Sequence, residues 1–108
     1  MKVAGKKDFT EKILNSKGLQ VVKFYADWSG PCQMMAPICK ELSISYGGIV
    51  NFFKVDVEAL PLLKKEFGVN DLPTILFYKN GILIDFVNGV IAKNAMIAKM
   101  ENLLNQNN

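Results

Sequence analysis

Apolar residues fall along this chain in short blocks separated by glycines and polar turns, and the spacing inside each block differs. Leu19 to Ala26 is a nearly continuous, β-rich apolar run, and Ile49 to Val57 is another. Such runs are the pattern of strands covered on both faces, as in a parallel sheet. Lys2 to Ala4 is a candidate for a short edge strand. Phe9, Ile13 and Leu14 stand at helical spacing within Asp8 to Leu14, and Ser16-Lys17-Gly18 ends that helix. From Pro31 to Tyr46 the pattern turns helical again, with Met35, Ile38, Cys39, Leu42 and Tyr46 on one stripe. Pro37 falls inside this stretch and predicts a kink, because proline removes a backbone donor. Gly47-Gly48 closes the helix.

Leu60 to Phe67 reads as a short helix ended by Gly68, and Ala92 to Gln106 as a final amphipathic helix. Thr74 to Tyr78 and Ile82 to Val87 flank Lys79-Asn80-Gly81, where Asn-Gly is a strong hairpin signal. The predicted order is β-α-β-α-β-α-β-β-α. Helices between the early strands imply parallel pairing through right-handed crossovers, while the last hairpin must be antiparallel. The fold class is therefore α/β, a central mixed sheet with helices on both faces. No repeat or linker interrupts it, apart from the polar tail Asn105 to Asn108, so residues 1–108 read as a single domain.

Composition narrows the functional classes. Half of the 108 residues are apolar, enough for a real core. The net charge of +3 comes from scattered lysines with no arginine. A nucleic-acid surface would be clustered and rich in arginine, so no nucleic-acid partner is expected. No apolar run is long enough for a membrane span. The basic stretch Met1 to Lys7 is followed by no apolar signal core, so a cytoplasmic location is the expectation. The chain has no histidine, which excludes Ser-His and Cys-His pairs. Cys32 and Cys39 alone are too few soft ligands for a zinc site to be expected, and a structural disulfide is not expected in such a compartment.

The turn after the first long strand carries the candidate chemistry. Asp27-Trp28-Ser29-Gly30-Pro31 links that strand to the helix, and Pro31 suits a helix's first turn, where its missing donor costs nothing. Ser29 stands near the positive end of the helix dipole, where a thiol would be acidified. Cys32 lies in the first turn, three residues on, at a spacing from which two thiols can close a small ring.

The run Phe24-Tyr25-Ala26-Asp27-Trp28-Ser29-Gly30-Pro31-Cys32-Gln33-Met34-Met35-Ala36-Pro37 resembles the active-site segment of the thioredoxin family, W-C-G-P-C followed by A-P in the helix. Val69-Asn70-Asp71-Leu72-Pro73-Thr74 resembles that family's cis-proline loop, Phe77-Tyr78-Lys79-Asn80-Gly81 its hairpin, and Asn88-Gly89-Val90 its small-residue substrate loop. The likeness runs through nearly the whole chain in order. It implies a thioredoxin fold and a protein-disulfide reductase that needs no cofactor and no metal. Its partners would be oxidised target proteins and a thioredoxin reductase, and the protein would act as a monomer. Trp28, Gly30, Pro31, Leu72, Pro73, Gly89 and Val90 would line the groove for the target chain, with Pro73 leaving Leu72 free to pair with an extended segment.

Two departures matter. Ser29 occupies the position of the family's attacking cysteine, and Cys32 that of its resolving thiol. A hydroxyl cannot form a disulfide, and exchange needs a thiolate attacker and a second thiol. Cys39 cannot substitute: seven residues along one helix place it about 10 Å from Cys32, beyond the roughly 7 Å between Cα atoms that a disulfide tolerates. The chain as written is therefore expected to be inactive as a reductase. Ser29 is either a substitution made in a working thioredoxin or the natural residue of a module that binds extended peptides without reducing them. The second departure is Lys23, at the strand position where the family carries a buried acid. Either it pairs with Asp56 or Glu58 beside Lys54, or its stem is buried while its head reaches solvent.

Among the remaining residues, Ser29 also suits a helix cap. Cys39, Met34 and Met35 are expected to pack, and Trp28 to be a surface contact. Asp85 is expected on an exposed face. Phe52, Phe53, Phe67, Phe77 and Phe86 are assigned to the core.

Overall fold

The computed structural model describes residues 1–3 and 5–106. The element order is β1 (Lys2–Val3), α1 (Lys6–Asp8) running into a π-type helical segment (Phe9–Leu14), β2 (Leu19–Tyr25), α2 (Gly30–Ser45), β3 (Val50–Asp56), α3 (Pro61–Glu66), β4 (Thr74–Lys79), β5 (Ile82–Asn88) and α4 (Lys93–Leu104). The expected edge strand forms over Lys2–Val3, and its expected last residue, Ala4, lies outside the described residues, as does the end of the polar tail, 107–108.

The five strands lie in the order β1-β3-β2-β4-β5. β3 pairs in parallel with both β1 and β2, and β4 pairs antiparallel with both β2 and β5. β2 and β3, the parallel pair consecutive in sequence, are joined through α2, as a crossover requires. The β4–β5 connection is the Asn80-Gly81 turn, where φ is +53° and +81°, the double left-handed geometry of a tight hairpin. The antiparallel docking of β4 on β2 is not encoded in any local turn; it follows from burial.

Alternation along β2 divides the core between two layers. Val22 and Phe24 face Phe9, Ile13 and Leu63, under α1, its π-type extension and α3. Val21 and Leu19 face Met35, Cys39 and Leu42 of α2 and Met96, Met100 and Leu103 of α4. Helices thus cover both faces, and the central strands are shielded on each side. Phe9 stacks on Phe67 at 4.3 Å between ring centroids, which fastens the first helical stretch beside α3.

Several placements differ from the sequence reading. Leu14 is exposed although Phe9 and Ile13 are buried, because the wider winding of 9–14 turns it off the buried face. Phe86 is 56% exposed: it lies on β5, an edge strand, and the layer under α1 and α3 ends at β4 without a β5 residue in it. Phe52, Phe53 and Phe77 are buried as expected, and Phe67 is half-buried against the same layer. Met34 is exposed while Met35 is fully buried, since only one of two adjacent helix positions can face the sheet. Asp85 is not free on an open face: its Oδ2 is 2.6 Å from Lys99 Nζ of α4. α2 is continuous from Gly30 to Ser45 with Pro37 inside it.

Candidate active site

Strand register brings the separate motifs to one end of the sheet. Tyr25, the last residue of β2, pairs with Asp56, the last of β3. Thr74, the first of β4, pairs with Phe24 on one side and with Asn88, the last of β5, on the other. The segments 26–29, 57–60, 72–73 and 89–91 must therefore leave the sheet at the same edge. Hydrogen bonds tie them together. The Gly89 N–H donates to the Pro73 carbonyl at 2.8 Å, and the Thr74 hydroxyl lies 3.0 Å from Asn88 Oδ1. The Ile91 N–H is 3.5 Å from Met35 Sδ, which links this loop to α2. The Leu72–Pro73 peptide bond is cis.

Ser29 is the N-cap of α2. Its backbone is extended, and its Oγ accepts from the Cys32 N–H at 3.3 Å, with Pro31 in the first turn. The Ser29 N–H in turn donates to the Ala26 carbonyl. A small polar residue that returns to the helix's own free amides is what this position favours. Ser29 is 5% exposed and Cys32 4%, so both lie under the surface of the turn. Cys32 and Cys39 are both free thiols. Cys39 is buried in the α2–α4 layer, and burial pushes its thiol pKa up, partly offset by the charge of Lys23.

Trp28 is 68% exposed beside the exposed Gly30 and Pro31. Its indole N–H donates to Glu58 Oε1, which holds the ring over the loop after β3. Leu72 is half-buried, Pro73 buried, Gly89 half-buried and Val90 largely exposed. The residues expected to line one groove thus come from segments that converge at one sheet edge. The Glu58 contact was not legible beforehand, because nothing local connects positions so far apart in sequence.

The expected ion pair of Lys23 with Asp56 or Glu58 does not form. Among the described residues Lys23 has no carboxylate within ion-pair distance, and Glu58 is taken by Trp28. The Asp56 carboxylate turns to the Glu58 and Ala59 N–H groups, at 2.9 and 3.4 Å, capping the loop after β3. Lys23 lies beside Lys54, its register partner on β3, and the two ammonium groups stand 5.5 and 5.7 Å from the centroid of the Tyr25 ring. Burial raises the Tyr25 pKa, helped by the charges of Asp56 and Asp27. A small cleft lined by Lys23, Tyr25, Asp27, Cys32 and Lys54 opens behind the turn.

The thioredoxin family model matches residues 1–102. The chain belongs to the thioredoxin family. It is 34% identical over 101 residues to "Thioredoxin M-type, chloroplastic" of Pisum sativum, covering 94% of this chain and 59% of that protein. It is 33% identical over 96 residues to "Thioredoxin" of Synechocystis sp. (strain ATCC 27184 / PCC 6803 / Kazusa), covering 89% and 90% of the two chains. A third relative, "Thioredoxin" of Chlorobaculum thiosulfatiphilum, is 37% identical over 93 residues, covering 86% and 85%. The chain spans under two thirds of the plant protein's length and most of the bacterial ones. The α/β fold with its mixed sheet agrees with this membership.

Proposed function

We propose that this thioredoxin-family chain carries a protein thiol–disulfide exchange site in which the attacking sulfur is replaced by the Ser29 hydroxyl, so that it docks target chains without reducing them. The observation that carries this reading is the capping bond from the Cys32 N–H to Ser29 Oγ. The position where a thiolate would be stabilised by helix amides is built and oriented, but an oxygen stands there. Exchange proceeds when a thiolate attacks one sulfur of a target disulfide and expels the other as a thiolate. The second protein thiol then attacks the mixed disulfide, releases the target's remaining thiolate and closes an intramolecular disulfide. Cys32 is placed for the second step only. Trp28, Gly30, Pro31, Leu72, Pro73, Gly89 and Val90 form the proposed docking surface, supported by the 68% exposure of the aromatic Trp28.

The test is the reduction of insulin by dithiothreitol. The chain with Ser29 leaves the rate unchanged, and Ser29→Cys accelerates it. A Ser29→Cys protein that folds yet gives no acceleration would refute the exchange site. A second reading, a natural peptide-binding module, rests on the same exposed Trp28; the codon at position 29 of the native gene separates the two. In the exchange reading the partners are oxidised proteins and, for the Ser29→Cys form, a thioredoxin reductase; the chain acts as a monomer. A cytoplasmic location, the expectation from the sequence, is part of the proposal. Fractionation of cells expressing the tagged full-length protein checks it.

A further inference from the structure

On the face of the sheet behind α2, a cavity of about 310 Å³ is lined by Met1, Lys23, Ala36, Lys40 and Lys54. It adjoins the cleft behind Cys32, sharing Lys23, Ala36 and Lys54 with it. Three of its five lining residues are lysines and none is acidic. Lys23 is 4% exposed, yet among the described residues it has neither an ion-pair partner nor a hydrogen bond from its ammonium group, and the same holds for Lys40 and Lys54. No carboxylate lines this cavity, and none is within ion-pair distance of its lysines among the described residues. Asp56 accepts from two backbone amides, and Asp27 lines only the adjoining cleft.

Lys23 and Lys54 are register partners on neighbouring strands, with backbones about 4.8 Å apart. Their charges repel, and for the buried Lys23 solvent screening is weak. Tyr25 offers both ammonium groups its ring, a contact that answers only part of the lost hydration. Buried charges are ordinarily compensated by a counter-charge with hydrogen bonds. Lys40, one turn along α2 from Ala36, adds a third cation from the opposite wall. Lysine is a strongly hydrated point charge with three donors, suited to a compact anion with several acceptor oxygens.

We propose that this cavity is a binding site for a tetrahedral oxyanion of the phosphate or sulfate type, held by Lys23, Lys54 and Lys40. The site is independent of the exchange chemistry, because none of its ligands is a thiol and occupancy does not require a sulfur at position 29. A bound dianion neutralises the lysine pair behind Cys32 and braces α2 against β2 and β3.

The experiment is titration of the full chain, with Ser29 in place, with inorganic phosphate and separately with sulfate, at constant ionic strength set by chloride. Isothermal calorimetry reads the affinity and backbone amide NMR the location. Saturable one-to-one binding is expected, with the largest amide shifts around Lys23, Ala36, Lys40 and Lys54. Lys40→Ala, at an exposed helix position that does not endanger folding, weakens binding about tenfold, the loss of one charge-assisted contact. Lys23→Met weakens it further, and Lys17→Ala, outside the cavity, leaves it unchanged. The proposal is overturned if phosphate and sulfate produce no saturable response beyond that of chloride. It is also overturned if the shifts map elsewhere, or if Lys40→Ala binds as tightly as the parent.

Discussion

Removing the Ser29 hydroxyl tests the local logic of the site without invoking redox chemistry. In Ser29→Ala the Cys32 N–H loses its acceptor. Loss of a serine cap costs about 0.5–2 kcal/mol in general. Two features of this cap pull in opposite directions. The 3.3 Å separation is longer than an optimal N–H···O bond, which lowers its worth. The 5% exposure of Ser29 prevents water from replacing the lost acceptor, which raises the cost of removing it. Together they place the destabilisation at about 1 kcal/mol. For a domain of this size that corresponds to a fall in melting temperature of about 4 °C or more. Urea denaturation followed by far-UV circular dichroism reads it directly: the midpoint falls while the slope stays constant, since the buried area is unchanged. Ser29→Gly, a better cap than alanine, loses only a few tenths. Alanine and glycine variants equally stable with the parent would refute the idea that Oγ holds the first turn of α2, and with it the claim that this position is built to present an atom to the helix amides.

Gly81→Ala is expected to be severely destabilising or to abolish folding. A Cβ there would lie 2.1 Å from the Leu14 carbonyl oxygen, and φ is +81°, which an L side chain resists; soluble yield and a thermal melt decide it. Asp85 loses pKa through its bond from Lys99, the Phe86 N–H and the Lys99 charge, which together outweigh the upward pull of burial. Its folded pKa is below its ordinary value, so its contribution is complete at neutral pH and is lost as pH falls below about 4 through the folded pKa. With both side chains near one-third exposed, Lys99→Met should cost less than about 1 kcal/mol at pH 7. That cost should shrink as the pH is lowered into the acid range and the carboxyl protonates; a difference that stays constant as Asp85 protonates would contradict the assignment. Cys39, buried and with its thiol pKa raised, should resist iodoacetamide in the native protein at neutral pH and react on unfolding, as mass spectrometry of the labelled peptide would show.

Much of this protein is determined locally and was readable from the chain alone. The Asn80-Gly81 turn forms because those two residues tolerate positive φ. α2 begins where Ser29 can cap and Pro31 needs no partner, and its buried stripe, Met35, Cys39 and Leu42, follows from helical geometry. The replacement of sulfur by oxygen at position 29 is a matter of covalent identity, visible without coordinates. What required the tertiary structure concerns residues distant in sequence. Strand alternation assigns Phe86 to a face but does not say that the covering layer stops at β4. The pairing of Asp85 with Lys99, and of Trp28 with Glu58, depends on how α4 and the loop after β3 come to rest. Lys23 is the clearest case. Its position on an apolar strand announced an unusual charge, but its neighbours were decided by register: β3 sets Lys54 beside it, while Asp56 turns away to satisfy loop amides. Local preferences depend on the chain's own dihedrals and neighbours, whereas the compensation of a buried charge depends on which groups packing brings within a few ångströms.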